Sequence, residues 1–489
     1  MKLELTLDEA GSTPLYRQLY TQLREQILHG ELAPGNKLPP TRALARRLNL
    51  ARVTVIQAYD QLQAEGYVRS KRGAGTFVSD KLPLEAQDHE DISIGQGTEL
   101  SGWGKRLLEI DGRRQQASEP GRFDIDFGFG RSFPHIFPYD VWRRLLARYL
   151  STDDVMLSRY GSVAGFHPLR EAIADYLARL RGVHCQPDEV VIVNGAQQAL
   201  DILSRLLLEA GDEVLVETPG YTDAFDIFRV YGATLAALAV DEHGFPVEAI
   251  PPDSKARLAF VTPTNQFPRG GAMPARRRLA LLQWARERRA TIVEDDYDGA
   301  LRYEEQPLAA LQGLDEEGRV VYLGTFSKVL FPALRLGYVV LPPPLLHPFI
   351  HAKSIVDRGA PTLTQAAVAD FIREGHFERH LRRLRKEYGR RRAALVHALD
   401  AQLGDTVSFA HEPAGLHVML YLDRAFDEDS VVQCAADQGV GVYRGAPYHL
   451  QQPAPPSILL GFSGLAVEEI EEGVRRLGRA LNKCLPAAA

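Results

Sequence analysis

The sequence predicts a two-part chain: a small, mostly helical N-terminal domain followed by a large α/β domain on a mostly parallel sheet. Three observations carry that expectation. At 489 residues the chain is too long for one core, and 45% hydrophobic residues suffice to fill two. Short β-branched runs (VVIV from Val190, EVLVE from Glu213, RLAFV from Arg257, TIVE from Thr291, VVYLG from Val320, GYVVL from Gly337) alternate with helical segments such as RRRLALLQWARERR from Arg276, the pattern of a parallel sheet covered on both faces. Between Asp80 and Pro120 the composition turns polar and weakly periodic, which reads as a linker with a short helix around Trp103 to Ile110.

Lys and Arg number 57 against 63 Asp and Glu, a net charge of -6, so the whole chain does not advertise nucleic-acid or membrane binding and any such surface is local. The three cysteines, Cys185, Cys434 and Cys484, are odd in number and lack metal-type spacing. They predict no disulfide framework and no metal site, and fit a reducing cytoplasm. The N-terminal MKLELTLDEA has no apolar core of signal-peptide length, and no uninterrupted apolar run approaches about 18 residues. A soluble cytoplasmic protein without a membrane partner is expected.

In the N-terminal domain Tyr16, Leu19, Leu23 and Ile27 define an amphipathic helix that stops near Gly30. Thr41 can N-cap a short helix carrying Leu44 and Leu48, and a second helix turns Val55, Tyr59 and Leu62 inward before Gly66 ends it. This is a helix-turn-helix pattern. Arg52, Thr54 and Gln57 sit on the outward N-terminal part of its second helix, the part that enters a major groove, where Arg reads guanine and Gln adenine. YVRSKRGAGTFV then predicts two β runs around a Gly-rich tip with Arg69, Lys71 and Arg72, a wing for phosphate and minor-groove contact. Glu31 to Asp80 holds eight basic and four acidic residues, a locally basic face. The helical pattern alone is also satisfied by a small bundle with solvated charges. The wording decides between them, because LYRQLYTQLREQILHGELAPGNKLPPTRALARRLNLARVTVIQAYDQLQAEGYVRSKRGAGTFV, Leu15 to Val78, resembles the winged helix-turn-helix of the GntR regulators nearly throughout. The resemblance implies that Arg42 and Arg52 contact DNA, that Thr54 is a recognition-helix residue, and that Gly75 and Thr76 form the wing tip. Pro40-Thr41 departs from the serines usual there, and Pro40 brings no hydroxyl to contact a phosphate.

In the large domain, Val320 to Val340 reads as two buried strands and a connection holding one lysine, Lys328. A lysine in a dry site loses pKa and becomes a nucleophile, which suits an imine with a carbonyl cofactor; a strand-end lysine that snorkels to water is the alternative. Pyridoxal 5′-phosphate needs, besides a lysine, a carboxylate for its pyridinium nitrogen, a donor to its phenolic oxygen, an aromatic face, a phosphate cup and a cation. Candidates exist for each. NGAQQAL places Gly195, Ala196 and Gln197 at a helix N-terminus after a strand. ETPGY supplies Tyr221 for stacking. VEDDYD places Asp295 at a strand end, for the ring nitrogen, and Tyr297 two residues on, for the phenolate. GTFSKVLFPALRLG supplies Thr325, Ser327, Lys328 and, for the phosphate, Arg335.

With SRYGSVAGFHPLREAIADYL, TPTNQFP, EDDYD and TFSK as further matching blocks, the region from about Phe123 to Leu481 resembles the fold-type I aminotransferases. That resemblance implies that Lys328 is the internal-aldimine lysine, Asp295 the N1 partner, Tyr297 and Asn265 the groups near the phenolic oxygen, and Tyr160 a phosphate ligand reaching in from a second subunit, hence a homodimer. The whole chain is similar to the MocR subgroup of GntR regulators, with residues 1–80 as the DNA-binding domain, 81–122 as the linker and 123–485 as the aminotransferase-like effector domain.

The enzymes hold a substrate α-carboxylate with an arginine in a C-terminal R-hydrophobe-x-F strand; here SILLGFSGL has Leu459 at that place. Family members that sense γ-aminobutyrate carry an arginine two residues after the tyrosine matching Tyr221; here it is Asp223. Arg131, Arg269 and Arg444 are candidate replacements. The expected function is a pyridoxal-phosphate-dependent regulator of a double-stranded DNA operator. Its effector is an amine with an unusual anionic group such as a sulfonate, a ligand held by relocated arginines, or the cofactor itself. The alternative is a working aminotransferase with an appended DNA-binding module.

Overall fold

The computed structural model describes residues 5, 7, 14–28, 30–71, 75–79, 99–110, 121–130, 134–150, 158–303, 308–404 and 406–484. Arg72, Arg131, the tip residues 72–74 and the linker stretches 81–98 and 111–120 lie outside the described residues. The chain divides into two compact units, Met1–Glu99 and Leu100–Ala489.

The first unit holds α1 (Leu15–Leu28), α2 (Thr41–Arg47), α3 (Arg52–Ala64) and the antiparallel hairpin β1 (Val68–Lys71) and β2 (Gly75–Val78). Leu19, Leu23 and Ile27 recur every fourth residue, so α1 buries one stripe, packed with Leu44, Val55, Ala58 and Leu62. Asn49, in the left-handed region at φ 53°, turns the chain between α2 and α3. One local expectation is corrected. Thr41 is not a cap but the first residue of α2, because the Pro40 carbonyl already accepts from the Ala43 and Leu44 amides at 2.8 and 3.0 Å. The Thr41 hydroxyl instead meets Arg52 Nε at 3.5 Å.

The second unit runs α4 (Gly102–Glu109), β3 (Ile125–Asp126), α5 (Tyr139–Leu150), α6 (His167–Arg181), β4 (Val190–Val193), α7 (Ala196–Leu207), β5 (Glu213–Thr218), α8 (Thr222–Val230), β6 (Thr234–Ala239), β7 (Leu258–Val261), α9 (Ala275–Arg288), β8 (Thr291–Asp296), β9 (Val320–Thr325), β10 (Gly337–Val340), α10 (Pro343–Val356), α11 (Thr362–Arg373), α12 (His376–Leu403), β11 (Val407–Ser408), β12 (His417–Leu422), α13 (Glu428–Ala436), β13 (Val440–Gly441), β14 (Tyr443–Arg444), β15 (Ser457–Gly461) and α14 (Val467–Cys484). Its main sheet has the order β4-β10-β9-β8-β7-β5-β6, with β10 antiparallel to both neighbours and the other pairs parallel. Every residue of β4, β7 and β10 is buried, as a sheet covered on both faces requires. Since β10 reverses twice, β4 runs the same way as β5, β7, β8 and β9. The five carboxyl ends therefore share one edge, and the chain leaves them toward Asn194, Tyr221, Asn265, Tyr297 and Lys328. A second, antiparallel sheet has the order β11-β12-β15-β14.

The cysteine expectation needs revision. Cys434 on α13 and Cys484 on α14 form a disulfide, with Cα atoms 7.0 Å apart, while Cys185 is free. Their 50-residue separation concealed a pairing created by the packing of α13 along α14. Among the described residues no helix is long and apolar enough to cross a membrane.

Candidate cofactor crevice and nucleic-acid interface

At the carboxyl edge of the main sheet, adjacent residues of β8 point to opposite faces. Asp296 turns to Arg181, which donates to it from Nε at 2.8 Å and from Nη2 at 3.0 Å, and it also accepts from the Tyr322 hydroxyl. Asp295 turns the other way. It is 6% exposed and accepts no hydrogen bond from the described residues. Burial, reinforced by the charge of Asp296 and opposed by that of Lys328, pushes its carboxyl up to about 7. A buried carboxylate without a donor is costly unless a ligand completes it.

Lys328 Nζ lies 4.4 Å from the centre of the Phe129 ring. Burial lowers its pKa, and Asp298 and Asp295 oppose that shift. The amine is thereby moved toward the neutral, nucleophilic form. A Cβ on Gly130 would stand 3.2 Å from Nζ, so a small residue there leaves the amine room. Beside it, Asn265 donates its amide to the Tyr297 hydroxyl at 3.1 Å and to Asp298 Oδ2 at 2.7 Å. Burial raises the Tyr297 pKa well above the usual phenol range, which keeps it a donor, and pushes Asp298 up to about 8. Gly415, at φ 82°, allows this close approach, since a Cβ there would come 2.8 Å from Asn265 Nδ2.

The α7 N-terminus opens at Gly195, φ 93°, with no side chain capping it. Arg335, itself at φ 49°, places Nη2 3.5 Å from the point a Gly195 Cβ would occupy and donates to the Asn194 carbonyl at 3.3 Å. The free amides of Gly195–Ala196 and this guanidinium form an anion cup. The Gln197 side chain turns elsewhere, to Tyr221 OH at 2.9 Å and Asp223 Oδ2 at 3.1 Å. Thr325 accepts from the Ser327 amide at 3.1 Å, next to Lys328. Tyr160 is 87% exposed and far from being packed in its own chain.

The sequence reading missed the aromatic wall. Phe267 packs against Tyr221, Tyr297, His417, Tyr448 and Phe129, with ring centres 5.2 to 5.8 Å apart. Leu459, 1% exposed, joins Phe267, Tyr297, Met419 and Tyr448 in one buried cluster. GFGRSF and NQFPRGG carried the only available signal, aromatic residues beside glycines next to strand ends. Of the candidate arginines, Arg444 is exposed and paired with Asp429 at 2.9 Å, and Arg269 donates to the Val240 carbonyl at 3.0 Å while lining a cleft of about 410 Å³ with Thr218, Pro219 and Tyr421. Arg131 lies outside the described residues.

In the first unit, Arg42, Arg52, Gln57, Arg69 and Lys71 are exposed and Thr54 is half-buried. Arg42, Arg46 and Arg52 line an open concavity of about 800 Å³ between α2 and α3. Val53, 58% exposed on the first turn of α3, was overlooked by sequence; its methyls suit a thymine methyl in a major groove. On the wing, Gly75 at φ 117° faces Lys37, and Thr76 lies 3.3 Å from Ser70 Oγ. Arg72 lies outside the described residues.

A helix-turn-helix with a basic face, in one chain with an α/β domain whose strand ends converge on a buried lysine, an unsatisfied carboxylate and an anion cup, defines a DNA-binding protein that carries a pyridoxal-phosphate crevice. The relatives agree. Residues 15–78 match the bacterial regulatory proteins of the gntR family, and residues 129–477 match aminotransferase class I and II. The probable rhizopine catabolism regulatory protein MocR of Rhizobium meliloti is 38% identical over 478 residues, covering 97% of this chain and 95% of that protein. The pyridoxine biosynthesis transcriptional regulator PdxR of Corynebacterium glutamicum is 31% identical over 94% of both chains. The solved α-aminoadipate aminotransferase LysN of Thermus thermophilus, complexed with N-(5′-phosphopyridoxyl)-L-leucine, superposes with a TM-score of 0.70 at 31% identity, covering 79% of this chain and 96% of that one. The chain belongs to the MocR-type regulators of the gntR family, a gntR helix-turn-helix joined to an aminotransferase-type domain, and pyridoxal 5′-phosphate is the cofactor its crevice fits.

Proposed function

We propose that this protein is a cytoplasmic, homodimeric transcriptional regulator whose affinity for a DNA operator answers to the occupancy of its pyridoxal-phosphate crevice. The observation that carries this reading is the combination, in one chain, of a complete cofactor constellation and a buried Leu459 in the apolar cluster, where a transaminase would hold its substrate carboxylate. When bound, pyridoxal 5′-phosphate supplies an electrophilic carbonyl carbon and an electron-accepting ring. Lys328 is the attachment amine. Asp295 holds the ring-nitrogen proton, Tyr297 and Asn265 face the phenolic oxygen, Tyr221 offers its ring, and Gly195, Ala196, Thr325, Ser327 and Arg335 hold the phosphate. Tyr160 completes the phosphate site of a second copy, in keeping with its exposure. Residues 1–80 read DNA through Arg42, Arg52, Thr54, Gln57 and the wing, 81–122 link, and 123–485 sense.

The signal is either a primary amine displacing Lys328 or the cofactor itself. A route outward is available: Arg106 on α4, the short helix within the 81–122 linker, donates to the Val230 carbonyl at 2.7 Å at the far end of α8, whose N-cap is Tyr221. The rival reading, a working aminotransferase, draws on the intact Lys328, Asp295 and Tyr297 set and on the 33% identity with the 2-aminoadipate transaminase of Thermus thermophilus. Keto-acid-dependent multiple turnover, assayed beside operator binding, separates the two. Rapid turnover with no effect of any ligand on DNA supports the enzyme and defeats the regulator.

A further inference from the structure

Behind the anion cup sits an acid that the cofactor constellation does not use. Asp357 follows directly on α10, and Lys353, one turn earlier and 0% exposed, donates to both of its carboxylate oxygens at 2.8 and 2.7 Å. The same carboxylate accepts from Asn194 Nδ2 at 2.9 Å, from Gln198 Nε2 at 2.7 Å and from the Gly359 amide at 2.8 Å. Asn194 and Gln198 bracket the cup residues Gly195 to Gln197. The Gln198 side chain closes the bracket by accepting from the Asn194 amide at 2.9 Å. Asn194 thus has its amide, its carbonyl (held by Arg335) and its side chain all fixed, and Gly195 turns at φ 93° between two clamped ends.

We propose that Asp357 is a positioning residue for the cofactor phosphate: neutralised by Lys353, it holds both ends of the Asn194–Gln198 segment so that the α7 amides converge before the phosphate arrives. A salt bridge that only finished α10 would need Lys353 and the Gly359 amide. Here the carboxylate also takes an amide donor from each end of the cup, on a different element. Preorganisation of donors in a partly buried site is what gives an anion cup its affinity, since the amides need not be collected during binding. The inference rests on the reading that the cup takes the phosphate of pyridoxal 5′-phosphate.

The test compares pyridoxal 5′-phosphate with pyridoxal, which lacks the phosphate and keeps every other group, by spectral titration of the full-length protein. The variants are Asp357→Asn and, to avoid leaving Lys353 buried without a counter-ion, Asp357→Asn/Lys353→Met. Both should weaken pyridoxal 5′-phosphate by about tenfold or more and pyridoxal by less than about twofold, so that the preference for the phosphate collapses. Loss of affinity for both ligands by the same factor, or for neither, overturns the proposal, because a general structural role moves both together. A wild type that prefers pyridoxal 5′-phosphate strongly, with variants that keep that preference, removes Asp357 from the cup and leaves the cofactor reading intact. A wild type that does not distinguish the two ligands overturns the cup assignment and this proposal with it.

Discussion

Asp295 and Asp296 are neighbours at the end of β8 and opposite in circumstance: Asp296 is bound twice by Arg181, at 2.8 and 3.0 Å, while Asp295 has no hydrogen-bond donor among the described residues. One carboxylate fastens the strand end to α6 and the other is left without a donor among the described residues. Because burial raises Asp295 to about 7 in the folded state, above an ordinary carboxylate, the cofactor-free fold binds a proton that the unfolded chain has released. That group costs nothing below about pH 4 and destabilises the fold increasingly as pH rises from about 4 to about 7. Asp295→Asn should therefore raise the melting temperature of the cofactor-free protein at pH 8, by an amount on the order of 1–3 kcal/mol in stability, and leave it unchanged at pH 4. The same variant should weaken pyridoxal 5′-phosphate binding. An unchanged melting temperature at pH 8 would refute the isolation of this carboxylate.

Lys328 should be the sole attachment point of the cofactor. Protein loaded with pyridoxal 5′-phosphate should absorb above roughly 400 nm, lose that band on borohydride treatment, and carry the added mass on the peptide containing Lys328. Added mass on any other lysine would remove Lys328 from its role.

Reading of DNA should divide between base and backbone contacts. Arg52→Ala should cost about 1–3 kcal/mol and relax sequence preference, whereas Lys71→Ala should weaken all duplexes about equally and shallow the salt dependence. Competition titrations against scrambled duplexes at several salt concentrations distinguish these outcomes, and equal loss of specificity from both variants would put Arg52 on the backbone.

Most of the site was legible because strand-end chemistry is local. Lys328, Asp295, Tyr297 and Gly195 each follow a β-branched run, and a parallel sheet brings such positions to one edge whatever lies between. What was hidden depended on packing between distant segments. β6, TLAALA, is an alanine-rich, half-exposed edge strand without the β-branched signal of its neighbours. The aromatic wall around Phe267 collects residues from positions 129 to 448, and no periodicity announces it. Asp296, adjacent to Asp295, gave no sign of its role because its partner Arg181 lies 115 residues away. The Cys434–Cys484 pairing was obscured in the same way. At Thr41, local chemistry itself misled, since the preceding proline had already started the helix.

Communication between crevice and linker should run through α8. Tyr221 caps its first turn, Arg106 holds its last carbonyl, and Trp103 stands 6.4 Å from Tyr231. Trp103→Ala/Arg106→Ala should bind pyridoxal 5′-phosphate within about twofold of wild type and bind DNA as the cofactor-free protein does, yet lose the cofactor-dependent change in DNA affinity. A variant that keeps the full change would show that the α4 contact plays no part.

The most direct measurement is a fluorescence-anisotropy titration of wild type and Lys328→Ala against an operator obtained by enrichment from random duplexes, with and without pyridoxal 5′-phosphate and a panel of primary amines. Occupancy of the wild-type crevice should change operator affinity by about 5–150-fold, the span of a coupling of 1–3 kcal/mol, and Lys328→Ala, folded and still binding DNA, should respond far less. Wild-type affinity that is the same in the presence and absence of the cofactor and of every amine would contradict the regulator.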